Sequence, residues 1–316
     1  TILNAEETAR VIEFSFTQNN TIAQFTITDG ETQATSGYLD SPGGGIFIHY
    51  SNPIIANIKI INNTAQNGGG VHILDSSPSF FNVSVLNNIA IGSVGKGGGI
   101  YISLYSNPSF QNVNIIGNEA GYGLSHGIWM SLGTTIKNSI IWDNDIYSLY
   151  GCCNDDYLIS YSNIEYWPGN DQGGINLDPL FVDPLNDNYD LQVNSPCIDS
   201  GDPNLWYNDA DGSRSDMGAN GGSNIYPSFT EYDFGEVGFL GSNIELEIIN
   251  LTTSPVIITD INFNSNAFTL NESFPIEIEA FEARGIGVNA NNLLLGYSQD
   301  EMMIIATDRI SSFDKV

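Results

Sequence analysis

Three consecutive glycines followed by a branched aliphatic residue recur along the first half of the chain. They stand at Gly43-Gly44-Gly45-Ile46, Gly68-Gly69-Gly70-Val71 and Gly97-Gly98-Gly99-Ile100, with a degenerate copy at His126-Gly127-Ile128. Each copy carries the same punctuation downstream. Pro53, Pro78 and Pro108 follow the triplets, with Thr134 in the fourth copy, and four residues after each stands Asn57, Asn82, Asn112 or Asn138. Six residues further comes a second asparagine: Asn63, Asn88, Asn118, Asn144. Successive copies of the first asparagine lie 25, 30 and 26 residues apart. A period of this length is the mark of a repeat architecture.

Each copy holds two short strand patterns. One is Ile46-Phe47-Ile48, matched by Val71-His72-Ile73, Ile100-Tyr101-Ile102 and Ile128-Trp129-Met130. The other is Ile58-Lys59-Ile60, matched by Val83-Ser84-Val85 and Val113-Asn114-Ile115. Both alternate with period two, so one face of each strand is buried. A unit this small cannot bury its apolar face alone; stacking one unit on the next does so. Equivalent strands then pair in parallel, about 4.8 Å apart. The spacing predicts about six stacked turns between residues 1 and 170, with Ile58, Val83, Val113, Ile100 and Ile102 pointing inward. Asparagines at equal positions are expected to form ladders, foremost Asn57, Asn82, Asn112 and Asn138. The glycine triplets mark sharp turns with positive φ.

The run Phe25-Thr26-Ile27-Thr28-Asp29-Gly30, then the Gly-Gly-Gly-Ile copies, then Ser51-Asn52-Pro53 and its equivalents resembles secreted bacterial proteins built from right-handed parallel β-helix repeats. So does the following stretch. Asn176-Leu177-Asp178-Pro179, Tyr189 to Pro203 and Asp209-Ala210-Asp211-Gly212-Ser213-Arg214-Ser215-Asp216 look like the Asp-rich tail that follows the helix in those proteins. The resemblance covers roughly residues 10–222. It implies architecture more than activity, because the family holds lyase-like enzymes, adhesins and proteins without known chemistry.

Beyond Gly221-Gly222 the repeat stops. Strand-like runs follow at Ile244 to Asn250, Val256 to Ile261, Ile276 to Ile278, Ile286 to Val288 and Met302 to Ala306. Their spacing with polar turns reads as an immunoglobulin-like β-sandwich. It resembles the small sandwich family first noticed in spindle and cilium proteins (ASH-like), which implies a spacer or docking module. The expected fold class is therefore all-β, a right-handed parallel β-helix plus a C-terminal immunoglobulin-like β-sandwich. The expected boundaries are 1–172 for the helix, 173–225 for a tail capping or packing on it, and 226–316 for the sandwich.

Charge narrows the partners. The 37 acidic residues face 8 basic ones, for a net charge of −29. Such a surface repels nucleic acid, anionic lipid and polyanionic sugars. No run of 18 apolar residues exists, so no membrane span is expected. No signal peptide opens the chain, and Thr1 reads as a mature or trimmed start. The three cysteines cannot close a disulfide framework. Either Cys152 or Cys153 could pair with Cys197, or all three could be buried thiols.

Candidate sites follow from the repeat. The outward residues of successive first strands are Phe47, His72, Tyr101 and Trp129. Stacked at the turn spacing they form an aromatic stripe on which sugar rings could stack, unless loops or the tail cover it. His49, His72 and His126 occupy different slots in the repeat, so they do not form a metal cluster. Ser125-His126-Gly127 resembles a polygalacturonase motif, but the paired aspartates that should accompany it are absent from neighbouring turns. Alternating Asp209, Asp211 and Asp216 around Gly212 offer the crowded oxygens that calcium prefers, without the closing Glu of an EF-hand. A uronate lyase needs cationic groups, and the helical part offers only Arg10, Lys59, Lys96 and Lys137 at unmatched slots. A glycosidase needs two carboxylates about 5–9 Å apart. Glu119, Asp143 and Asp145 could supply them, but they read equally as solvated turn acids.

The reading is a non-catalytic, extracellular or cell-surface β-helix protein with a structural, adhesive or glycan-binding role. The alternative is a carbohydrate-active enzyme, a polysaccharide lyase or a glycosidase. The N-terminal end of the stack, at Val11, Phe14 and Phe16, is preceded only by Asn4 to Thr8, where Asn4 and Glu7 resemble a capping box. That end is expected to be completed by upstream sequence or by another subunit's β-sandwich edge, the second giving a homo-oligomer or filament.

Overall fold

The computed structural model of the chain describes residues 1–32, 43–91, 95–103, 105–121, 126–131, 133–144, 148–151, 157–166, 172–228, 232–235, 237, 241–291 and 302–306. Two compact units emerge. The first is Thr1–Pro203 with Arg214–Gly222, and the second is Asn204–Ser213 with Ser223–Val316.

The first unit is a parallel β-solenoid of about five turns. One sheet stacks six strands: Ile12–Ser15, Ile46–His49, Val71–Leu74, Ile100–Ile102, Ile128–Met130 and Leu149–Gly151. The register runs Ile46↔Val71, Val71↔Ile100 and Ile100↔Ile128, as the repeat predicts. A second sheet contains Lys59–Ile61, Ser79–Leu86, Ser109–Ile116 and Thr135–Lys137 in parallel order. Its strands bend where the first asparagine series sits. Asn57, Asn82, Asn112 and Asn138 all have φ between 51° and 54°, the left-handed region that asparagine tolerates better than most residues. The chain passes through Asn82 and Asn112 without leaving the sheet, so one sheet forms two walls of the solenoid.

The alternating positions fill the interior. Ile58, Val83, Val113, Ile100 and Ile102 are buried in one apolar cluster with Ile46, Ile48, Val71, Ile73, Ile128 and Met130. Phe80 stacks on Phe110 one turn away at 4.8 Å. Each such side chain contributes about 1.5–3 kcal/mol over its exposed state.

The ladder expectation needs correction. Within the first asparagine series one rung is a direct bond, Asn82 Nδ2 donating to Asn57 Oδ1 at 3.2 Å. Asn112 and Asn138 turn instead to the tail. Asn112 Nδ2 donates to the Asp216 carbonyl at 2.9 Å, and Asn138 Oδ1 accepts from the Asp202 N–H at 2.7 Å. The continuous ladder is the second series. Asn63 Nδ2 donates to Asn88 Oδ1, Asn88 to Asn118 and Asn118 to Asn144, at 2.9, 3.0 and 2.9 Å. Each acceptor oxygen also takes the backbone N–H of the preceding rung. All four residues are buried, where an unpaired amide would be costly. The physical difference is location: the first series lies on an outer corner, the second inside.

The glycine triplets divide their work. The first glycine of each takes positive φ, as at Gly68 (62°). The other two are needed for close stacking: a Cβ on Gly98 would lie 2.2 Å from the Glu119 carbonyl oxygen.

Residues 172–203 and 214–222 extend and flank the stack. Gln172 and Ile175 bridge in parallel to Ser160 and Asn163, continuing its last turn. The chain then returns along the side. Phe181 and Tyr189, on the hairpin Phe181–Asp183 with Asn188–Leu191, pack on Ile61, Leu86 and Ile116 of three successive turns. Those three follow Ile60, Val85 and Ile115, so consecutive apolar residues mark a wall buried on both faces. The tail is thus a lateral cover as well as an end piece.

The N-terminal end departs from expectation. Asn4 is not a helix cap; it ends the strand Ile2–Asn4, which pairs with Thr26–Thr28. Its Oδ1 accepts from the Glu6 N–H and its amide donates to Asp29, so both functions are spent on a turn. Phe14 is buried, and Phe16 is 72% exposed.

The second unit places two antiparallel sheets around one apolar core. The four-stranded sheet is Ile225–Pro227, Ser242–Asn250, Ala283–Ala290 and Phe268–Leu270. The three-stranded one is Ile276–Ile278, Val256–Phe263 and Met302–Ala306. Alternation decides what is inside: Leu246 is buried between exposed Glu245 and Glu247, and Ile248 is buried just beyond Glu247. Asn250, fully buried, donates to the carbonyls of Ser254, Ile278 and Glu279. Trp206, from a segment the sequence assigns to the tail, joins this core.

Candidate functional site

The outward column of the first sheet holds the expected aromatic stripe. Its pairing order is Glu13, Phe47, His72, Tyr101, Trp129 and Tyr150, one residue per turn. The four expected stripe residues therefore do align. They do not form a flat ladder. Phe47 meets His72 edge-on at 5.4 Å, and His72 meets Tyr101 at 89° and 4.8 Å. Edge-to-face packing satisfies the ring quadrupoles better than coplanar stacking. It also presents no continuous surface: Phe47, His72 and Tyr101 are all buried, at 6–9% exposure. Among its aromatic members, the column opens only beyond Tyr101. Trp129 is half-buried, Tyr150 is 42% exposed, and their rings stack at 4.6 Å and 27°.

Cations pack on two rings of the column. The Arg10 guanidinium lies 4.9 Å from the Phe47 ring centre and 3.4 Å from Glu13. Lys96 Nζ sits 4.3 Å over Trp129. His72 Nε2 shares a 3.0 Å hydrogen bond with Ser103 Oγ, while its Nδ1 is buried without a partner. Burial, with Arg10 and His49 nearby, pushes its pKa down to about 3. His72 is thus a neutral aromatic spacer, unsuited to acid–base work near neutrality.

The lyase and glycosidase candidates scatter. Lys59 Nζ donates to the Asp187 carbonyl, and Lys137 forms a 2.8 Å salt bridge with Asp202. With Arg10 and Lys96 on rings, the four cations have separate partners. Glu119 is exposed on the short strand Glu119–Ala120, Asp143 is exposed at a bend, and Asp143 gives its N–H to Glu165. His126 Nδ1 accepts from the Ala120 N–H, fixing its own turn. Asp145, Asp155, Asp156, Ser125, Cys152 and Cys153 lie outside the described residues.

The three tail aspartates divide between the two units. Asp209 and Asp211 belong to the second compact unit and Asp216 to the first. Asp211 Oδ1 accepts from both the N–H and the hydroxyl of Ser213, which holds its pKa below the usual carboxylate range. Asp216 Oδ1 accepts from the Asp199 N–H. Among the described residues no three His, Cys, Asp or Glu side chains are grouped as for a metal ion. Cys197 is a free, buried thiol that accepts from Asn163 Nδ2 at 3.1 Å, and burial pushes its pKa up to about 11.

One column has no counterpart in the expectations above. Ser51, Ser76 and Ser106 each stand two residues before a repeat proline. The Ser51 N–H donates to Ser76 Oγ at 3.0 Å and the Ser76 N–H to Ser106 Oγ at 3.2 Å, while the Thr17 N–H donates to Ser51 Oγ. This buried hydroxyl ladder aligns the residue just before each rung: Phe16, Tyr50, Asp75 and Tyr105. The regular Ser-x-Pro spacing was the available signal. No protein-family model, curated protein or solved structure matches the chain.

Proposed function

We propose that this chain is a non-catalytic extracellular or cell-surface protein whose solenoid serves as a structural or adhesive element and binds glycan. The observation that carries the reading is the outward aromatic column ending in the stack of half-buried Trp129 on exposed Tyr150. Aromatic faces bind the apolar faces of sugar rings, and exposed aromatic patches mark interaction surfaces. The separate partners taken by Arg10, Lys59, Lys96 and Lys137 weigh against uronate chemistry.

The second unit fits the same reading as an immunoglobulin-like sandwich of the spindle and cilium type, acting as a spacer. Self-assembly is supported by the N-terminal strands Ile2–Asn4, Ile12–Ser15 and Gln18–Ala23, each paired on one side only among the described residues. For calcium the support is the composition of residues 209–216 alone; equal melting temperatures in chelator and in excess calcium remove it.

The experiment is a glycan array with the whole chain, run beside reducing-sugar and unsaturated-product assays on every glycan bound. Binding without product supports the proposal. Product release replaces it with an enzyme, and the absence of any binding removes the glycan role.

A further inference from the structure

The column Phe16, Tyr50, Asp75 and Tyr105 is a second aromatic surface, distinct from the one above. All four residues sit at φ between 46° and 64°. Bulky aromatic side chains are genuine outliers in that region, which favours glycine, asparagine and aspartate. Other left-handed columns of this solenoid follow the preference: Asn57, Asn82, Asn112 and Asn138 at one corner, Asn62, Asn87, Gly117 and Asp143 at another. Here three of four positions are aromatic, and their side chains gain little burial. Phe16, Tyr50 and Tyr105 are 72%, 46% and 87% exposed. Neither backbone preference nor core packing accounts for the aromatic choice, and strained exposed residues are where a functional reason is to be sought.

The geometry of the column suits one kind of ligand. The Phe16 and Tyr50 rings lie 5.1 Å apart at 30°, and His49 adds a third ring 4.2 Å from Tyr50 and 5.4 Å from Phe16. Successive residues are one turn apart, about 4.8 Å, close to the length of one pyranose residue. Asp75 stands between Tyr50 and Tyr105 and offers carboxylate oxygens to hydroxyl donors. The hydroxyl ladder beneath holds these backbone positions in register before any ligand arrives, which lowers the ordering cost of binding. A net charge of −29 and the Asp75 carboxylate oppose an anionic chain.

We propose that this column is a binding subsite for an uncharged polysaccharide, whose chain runs along the solenoid axis across successive turns. Phe16, Tyr50 and Tyr105 are its stacking platforms and Asp75 its polar contact. The inference rests on the glycan-binding reading above and assigns that binding to a place.

The test uses the whole chain, with cellohexaose, xylohexaose and mannohexaose as neutral probes and hexagalacturonate as the anionic one, by calorimetry. Two double variants are compared: Tyr50→Asn with Tyr105→Asn, and, as a control outside both aromatic columns, Leu185→Ala with Val193→Ala, two exposed residues. Asparagine relieves the left-handed strain, so the first variant should melt no lower than the wild type. The expected result is binding of at least one neutral hexasaccharide, weakened tenfold or more by the asparagine variant and less than twofold by the alanine variant, with no hexagalacturonate binding. Wild-type affinity in the asparagine variant overturns the subsite and leaves the glycan-binding proposal standing. Failure of the wild type to bind any neutral probe, with the glycan array also blank, overturns both.

Discussion

The side chain of Asn88 donates to Oδ1 of Asn118, one turn along, at 3.0 Å, and neither residue is accessible to water. Asn88 also donates to the Ile60 carbonyl and accepts from the backbone and side chain of Asn63. Removing it strands several buried groups at once. Asn88→Ala should destabilise the solenoid by about 2–4 kcal/mol. Asn82→Gly, at a half-exposed left-handed corner, should stay within about 1 kcal/mol of the wild type. Urea midpoints check both, and equal losses would show that the two series share one role.

Gly98→Ala is expected to be severe, because a Cβ there meets the carbonyl oxygens of Glu119 and His126 on the stacked turns. Backbone cannot yield as a side-chain tip can, so the cost should reach about 3 kcal/mol or more. Gly212→Ala, with positive φ and nothing within 4 Å, should lose only about 1 kcal/mol. A melting temperature for Gly98→Ala within a degree of wild type would contradict the stacking argument.

His72 links stability to acid. Its folded pKa, pushed down to about 3, lies below the unfolded value of 6.5. Between those values the unfolded chain binds a proton that the folded chain refuses, so stability rises with pH there. The contribution is fully present above pH 6.5 and is lost progressively as pH falls toward 3. His72→Phe should flatten the acid limb of the stability profile, by at most about 1.4 kcal/mol per pH unit. Parallel profiles for the two proteins between pH 4 and 6.5 would refute the assignment.

The buried thiol of Cys197 should resist modification. With its pKa pushed up to about 11 and its sulfur inside the tail, it carries little thiolate at pH 8. Mass spectrometry after iodoacetamide treatment should find Cys197 unmodified in the native chain and alkylated in urea. Rapid native labelling would mean that the tail opens readily.

The tail should be released by changes on the solenoid corner. Asn138→Ala removes an acceptor for the Asp202 N–H, and Lys137→Ala removes one partner of the Asp202 carboxylate. Limited proteolysis should then cut within residues 197–222 faster than in the wild type. A double-mutant cycle between Lys137 and Asp202 should give a coupling of ~1 kcal/mol; a value of zero would make the salt bridge incidental.

How much of this was legible in the chain alone depends on distance. The repeat of Gly, Pro and Asn, with alternation at Ile46-Phe47-Ile48 and its equivalents, determined the solenoid, its register and its inward residues. Alternation is a local property, and stacking identical units preserves it. The paired aliphatics Ile60-Ile61, Val85-Leu86 and Ile115-Ile116 already carried the sign of a doubly buried wall. What covers that wall is Phe181 and Tyr189, more than sixty residues beyond Ile116, and no local pattern specifies that return. The same non-local contacts drew Asn112 and Asn138 out of the ladder and toward the tail. Tertiary packing also decided that Phe47, His72 and Tyr101 are closed to solvent while Tyr50 and Tyr105 are open. Strand parity says only which side of a sheet a residue takes, and burial on the outer side depends on whatever else the chain lays there.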